Sequence, residues 1–113
     1  MANSFVNKKV DLTSTSATTL YTVPDAATAI IKSILVSEDS GNADTITVTI
    51  TDTSDDVFSL FKTKAISANA TTELLTAPLV LQQKEVLKVT AATANRLHVV
   101  LSALESKPRE VIT

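Results

Sequence analysis

The strongest constraint in this chain is a period of two over residues 44–53. There Ile46, Val48 and Ile50 alternate with Thr45, Thr47, Thr49 and Thr51. In an extended chain the three apolar side chains share one face and the threonines the other, the pattern of a strand with one face on a core. In a helix the same residues scatter around the cylinder and leave no stripe to bury. Threonine is β-branched, so even the polar face favours extended backbone.

Residues 28–38 read as a second strand. Ile30, Ile31, Ile34, Leu35 and Val36 supply apolar groups to both faces, with Lys32 and Ser33 relieving the run. Both faces apolar is the mark of a central strand. Between the two strands, Asp39-Ser40-Gly41-Asn42-Ala43 holds the sole glycine of the sequence. This predicts a hairpin joining the strands. Shorter strands are expected at residues 9–14, 17–23, 57–65, 71–76, 86–90 and 97–104. Phe58, Leu60 and Phe61 are candidate core residues, and Pro24-Asp25-Ala26-Ala27 and Gln82-Gln83-Lys84-Glu85 are turns. With no helical stripe, the expectation is all-β: a single-domain antiparallel β-sandwich of jelly-roll or Greek-key type, with a closed barrel as the alternative. The domain is expected over residues 9–105. A polar N-terminal arm precedes it at residues 1–8 and a charged, extended tail follows at 106–113.

At 113 residues one core suffices without covalent staples. There is no cysteine, which removes disulfides, thiolate metal sites and a cysteine nucleophile. A net charge of −2 with dispersed bases argues against nucleic acid as a partner. The apolar runs are too short for a membrane helix, and the N-terminus lacks the apolar core of a signal peptide. The expected product is soluble, made in the cytoplasm, and has no membrane partner.

Candidate chemistry is sparse. His98 is the single histidine, mid-strand between Leu97 and Val99, and no serine sits in a Gly-x-Ser-x-Gly turn. A satisfied or solvent-facing strand histidine is the expectation. Asp52, Asp55 and Asp56 cluster after the central strand, and Glu38, Asp39 and Asp44 flank the glycine turn. Calcium could use such oxygens, but the alternate-residue ladder of carboxylates and its glycine are missing, so turn formation is expected. Glycoside hydrolysis needs two acids flanking a sugar, usually with aromatic platforms, and only Tyr21 and three phenylalanines are present. No catalytic, metal or cofactor-binding residue is assigned, and no cofactor is expected.

The order of elements supports a resemblance. Leu20-Tyr21-Thr22-Val23-Pro24, then Ala29-Ile30-Ile31-Lys32-Ser33-Ile34-Leu35-Val36-Ser37, then residues 45–51, resembles small virion structural proteins of tailed bacteriophages. Leu79-Val80-Leu81 followed by Glu85-Val86-Leu87-Lys88-Val89-Thr90, and a last strand ending in Glu105, continue it over residues 12–105. The sequence departs from the group at Gln83-Lys84-Glu85, where a Gly-Asp turn is common. The resemblance implies a non-enzymatic β-sandwich that assembles as a homo-oligomer on a phage particle. In this reading it is a capsid decoration (cement) protein, a trimer on the virion surface that binds the major capsid protein. A tail, neck or fibre-associated virion protein is the alternative, with a host-glycan-binding module behind it. The residues expected to make the contacts are Asn3, Phe5, Asn7 and Lys8 in the arm and Lys107, Arg109, Val111 and Ile112 in the tail, because extended termini can add strands to a neighbour's sheet.

Overall fold

The computed structural model describes residues 2–108. Nine strands form among them: β1 (Ala2–Asp11), β2 (Thr18–Thr22), β3 (Thr28–Glu38), β4 (Asp44–Thr51), β5 (Val57–Ile66), β6 (Thr71–Glu73), β7 (Leu79–Leu81), β8 (Val86–Ala91) and β9 (Leu97–Lys107). They make two antiparallel sheets. The first has the order β1-β9-β3-β6, with β7 also on β3, and the second β2-β8-β4-β5. Pairing therefore nests, β1 with β9, β2 with β8, β3 with β6 and β7, and β4 with β5. That is a long hairpin wrapped over itself, the jelly-roll form of the β-sandwich.

Alternation places the core. In β4, Ile46, Val48 and Ile50 face inward and the threonines are half-buried on the outer face. In β9 the odd residues Leu97, Val99, Leu101 and Ala103 are buried. β3 needs a correction to match them. Ala29 and Ile31 are inward, then Ile34, Val36 and Glu38. The register with β9 shifts between Ile31 and Ser33, so Lys32 is the additional residue of a bulge. One extra residue changes the inward parity from odd to even, and the apolar run that reads as two-faced is one face interrupted once.

Two expectations are overturned. First, β3 and β4 do not form a hairpin, because they lie in different sheets. Residues 39–43 turn a corner between layers, and Glu38 organises it. Its carboxylate, 2% exposed, accepts from the Ser40 and Gly41 amides at 2.8 and 3.0 Å, from the Asn69 amide at 3.0 Å, and from the Ser40 hydroxyl. The adjacent hairpin in sequence is instead β4–β5.

Second, Phe58 and Leu60 are not core residues. They are 54% and 37% exposed, and of the three candidates only Phe61 packs against the core. β5 is an edge strand, and its register with β4 shifts twice, so a simple alternation does not survive along it.

Within the segments expected as arm and tail, the described residues are strand except Pro108. Residues 2–8 belong to β1, and Ser106 and Lys107 belong to β9. An edge strand gains main-chain hydrogen bonds whatever its side chains, so a polar sequence is no bar to pairing.

Candidate assembly surface

Of the expected contact residues, those described lie at one margin of the molecule. Asn3, Phe5, Asn7 and Lys8 lie on β1, the edge of the first sheet, opposite Ser106, Leu104, Ser102 and Leu101. Lys107 stands opposite Ala2 at the same margin. Arg109, Val111 and Ile112 lie outside the described residues. Directly paired residues share a sheet face. Asn3, Phe5 and Asn7 are thus on the outer face, and Lys8 on the inward side at the exposed margin.

Register continues this surface across the sheet. Phe5 pairs with Leu104, Leu104 with Ile30, and Ile30 with Val80, giving one apolar row over four strands. Its two ends stand free, Phe5 at 84% and Val80 at 52% exposure. Two rows away, Lys9, Val100, Leu35 and Glu73 lie in line, with opposite charges at the ends.

The far side of the sandwich was not legible as a surface. There β5, at the edge of the second sheet, runs beside the β6–β7 segment. Leu60, Phe61, Leu74, Leu75, Pro78 and Leu79 line an open groove of about 300 Å³ between them. Val57 and Phe58 extend the exposed apolar surface along β5. The signal was present in the sequence as the apolar pairs Leu60-Phe61 and Leu74-Leu75, but apolar residues of this kind read equally well as core.

Acidic residues serve turns and corners. Asp52 Oδ1 accepts the Ser54 and Asp56 amides at 2.9 and 3.0 Å, closing the β4–β5 turn. Asp44, buried, accepts the Thr93 amide at 3.1 Å. Among the described residues no group of three or more histidine, cysteine or acidic side chains is placed to hold a metal ion. His98 is half exposed, with Nε2 3.2 Å from Asp11 and Nδ1 3.6 Å from Asp39. A Ser-His-Asp arrangement needs one ring nitrogen on a hydroxyl and the other on a carboxylate. Here both face carboxylates.

The buried or partly buried acids are tied to backbone and hydroxyls. Burial of Glu38 works to raise its pKa, but hydrogen bonds from Ser40, Asn69 and Gly41 outweigh it and hold the carboxyl down at about 2. Glu73 follows the same pattern, held below the usual range by Ser33 and the Ile34, Leu74 and Leu75 amides against its own desolvation. Tyr21 shifts upward, from burial and then from its hydrogen bond to Glu105.

No family model matches the chain, and no curated protein matches it. Among solved structures it is similar to a chain from Bacillus endospore appendages, described as a family of disulfide-linked pili. The TM-score is 0.54 at 11% identity, over 96% of this chain and 93% of that one. It also aligns with a chain of the cyanophage Pam1 capsid asymmetric unit, with TM-score 0.46 and 17% identity over 94% and 85% of the two chains. At such identity the first likeness shows a shared fold. Disulfide linkage does not transfer, since this sequence has no cysteine.

Proposed function

We propose that this chain is a non-enzymatic bacteriophage virion protein, a capsid decoration protein that binds the major capsid lattice as a homotrimer and stabilises the head. The observation that carries the reading is the open β1 edge. It presents Asn3, Phe5, Asn7 and Lys8 beside Lys107, with a phenylalanine 84% exposed in its middle. Arg109, Val111 and Ile112, which come after Lys107 in the sequence, are proposed as part of the same contact. An exposed aromatic on a regularly paired edge strand is an anchor suited to a partner surface rather than to a small substrate. Around it the acidic residues are engaged in turns and corners, and the histidine in carboxylate pairs, which leaves binding as the work of the surface.

The mechanism is bridging. A subunit that binds only the assembled shell adds its binding free energy to the shell's stability, in proportion to how far its concentration exceeds the dissociation constant. Contacts of ordinary interface size on two neighbouring capsid subunits would resist their separation under internal pressure.

The test is the solution mass by light scattering, alone and after cosedimentation with expanded capsids. A trimer of the 12.0 kDa chain that pellets with expanded shells is the expected result. A ring-sized oligomer, or a species that ignores capsids, would overturn the head placement and favour the tail, neck or fibre.

A further inference from the structure

We infer that the subunits join head to tail, with Phe5 of one copy seated in the groove between β5 and the β6–β7 segment of the next. Two surfaces on opposite margins of the sandwich fit each other. β1 ends one side of the first sheet, whereas β6 and β7 end the other. On the first margin stands Phe5, the most exposed large apolar side chain among the described residues, at 84%. On the second lies an open apolar groove of about 300 Å³ lined by Leu60, Phe61, Leu74, Leu75, Pro78 and Leu79. A single phenyl ring fits within that volume, and a buried aromatic in a pocket is the common anchor of protein interfaces.

Charge agrees with the apolar match. Lys9 shares the outer face with Phe5, four residues along β1, and its row across the sheet ends at Glu73. Glu73 is exposed and directly precedes the groove residue Leu74. Its carboxylate is fixed by Ser33, the Ile34 amide and the Leu75 amide, so the negative charge stands at a defined place on the rim. A like copy brings its Lys9 toward that rim when its phenylalanine enters. The groove's own lining carries no charged side chain.

The geometry has a consequence for assembly. A knob on one side and a hole on the other make a heterologous contact, which closes into a ring when the rotation per subunit divides a full turn. This deepens the trimer reading and rests on it only for the number of subunits, since the contact itself is defined by the two margins.

Two variants and their mixture test it. Phe5→Asp removes the knob but keeps the groove, and Leu60→Asp spoils the groove but keeps the knob. Both positions are exposed, and circular dichroism with thermal melting verifies that each variant folds. Sedimentation velocity should show each variant as a monomer at concentrations where the unaltered chain is oligomeric. Mixed in equal amounts, they retain one intact interface and should form a two-chain species that cannot grow further. Oligomer mass unchanged by Phe5→Asp would overturn the contact, as would a mixture that stays monomeric. If the unaltered chain is monomeric yet pellets with capsids, the self-contact is wrong and the capsid reading stands. If a Phe5-dependent oligomer ignores capsids, the contact stands and the placement fails.

Discussion

The Tyr21 hydroxyl donates to Glu105 Oε1 at 2.5 Å and ties the two sheets together. Tyr21 is on β2 in the second sheet and Glu105 on β9 in the first. The phenol ring is 2% exposed, so its body belongs to the core while its one polar atom reaches a carboxylate at the margin. That division lets a sandwich with few aromatics use its sole tyrosine as an inter-sheet clamp.

Tyr21→Phe keeps the packing and removes the hydrogen bond. Charge-assisted hydrogen bonds contribute roughly 1.5–3 kcal/mol, and the low end applies because Glu105 is half-buried and water can replace the donor. A drop of about 1.5 kcal/mol in chemical denaturation is expected. The effect also has a pH signature. The folded-state pKa of Tyr21 is raised above its ordinary 10.0, so the folded state holds the proton more tightly than the unfolded chain. Its contribution is full below pH 10.0 and declines as pH rises toward the folded value. Melting curves of the unaltered protein should fall more steeply above pH 10.0 than those of Tyr21→Phe.

Glu38 predicts the opposite limb. Its carboxyl is held at about 2, below the ordinary 4.5, by the corner amides and Ser40. The stabilisation is present above pH 4.5 and is lost as pH falls toward 2. Glu38→Gln should lower the melting temperature at pH 7 and flatten the loss of stability between pH 4.5 and 2. Equal acid sensitivity in the two proteins would remove Glu38 as its source.

Backbone strain gives a stabilising substitution. Thr63 has φ of 49°, a left-handed conformation in which a β-branched side chain is crowded. Its amide donates to Thr47 Oγ1 at 3.1 Å, a contact that does not need the Thr63 side chain. Thr63→Asn should therefore gain about 1 kcal/mol, measured as a raised denaturation midpoint with unchanged slope. Gly41 shows the converse. Its φ is 85° and the nearest atom to an added Cβ is 4.0 Å away. Gly41→Ala should cost about 1 kcal/mol through conformation alone, without a clash.

Core and edge separate cleanly by truncation. Leu101 is fully buried in the central strand β9, and Leu101→Ala should cost about 2–5 kcal/mol. Phe58→Ser removes a larger side chain from an exposed edge and should change monomer stability by about 0.5 kcal/mol or less. Comparable losses at the two positions, read from urea unfolding of the monomer, would place Phe58 back in the core.

The primary sequence alone determined the strands that alternate without interruption. The Ile and Thr faces of β4 needed no partner to be read, because side-chain parity along a strand is a local property. The same holds for β8, and together with β4 it points to an all-β sandwich. Tertiary structure decided where parity breaks and which strands meet. The Lys32 bulge turned an apparently two-faced β3 into a one-faced strand, and Glu38, gathering amides from two loops, turned an apparent hairpin into a corner between sheets. It also decided that Phe5 stands exposed at one margin and the Leu60 groove opens at the other. A hydrophobic residue carries the same affinity for burial wherever it lies, and only the order of strands in the sheets determines whether a partner strand is there to cover it.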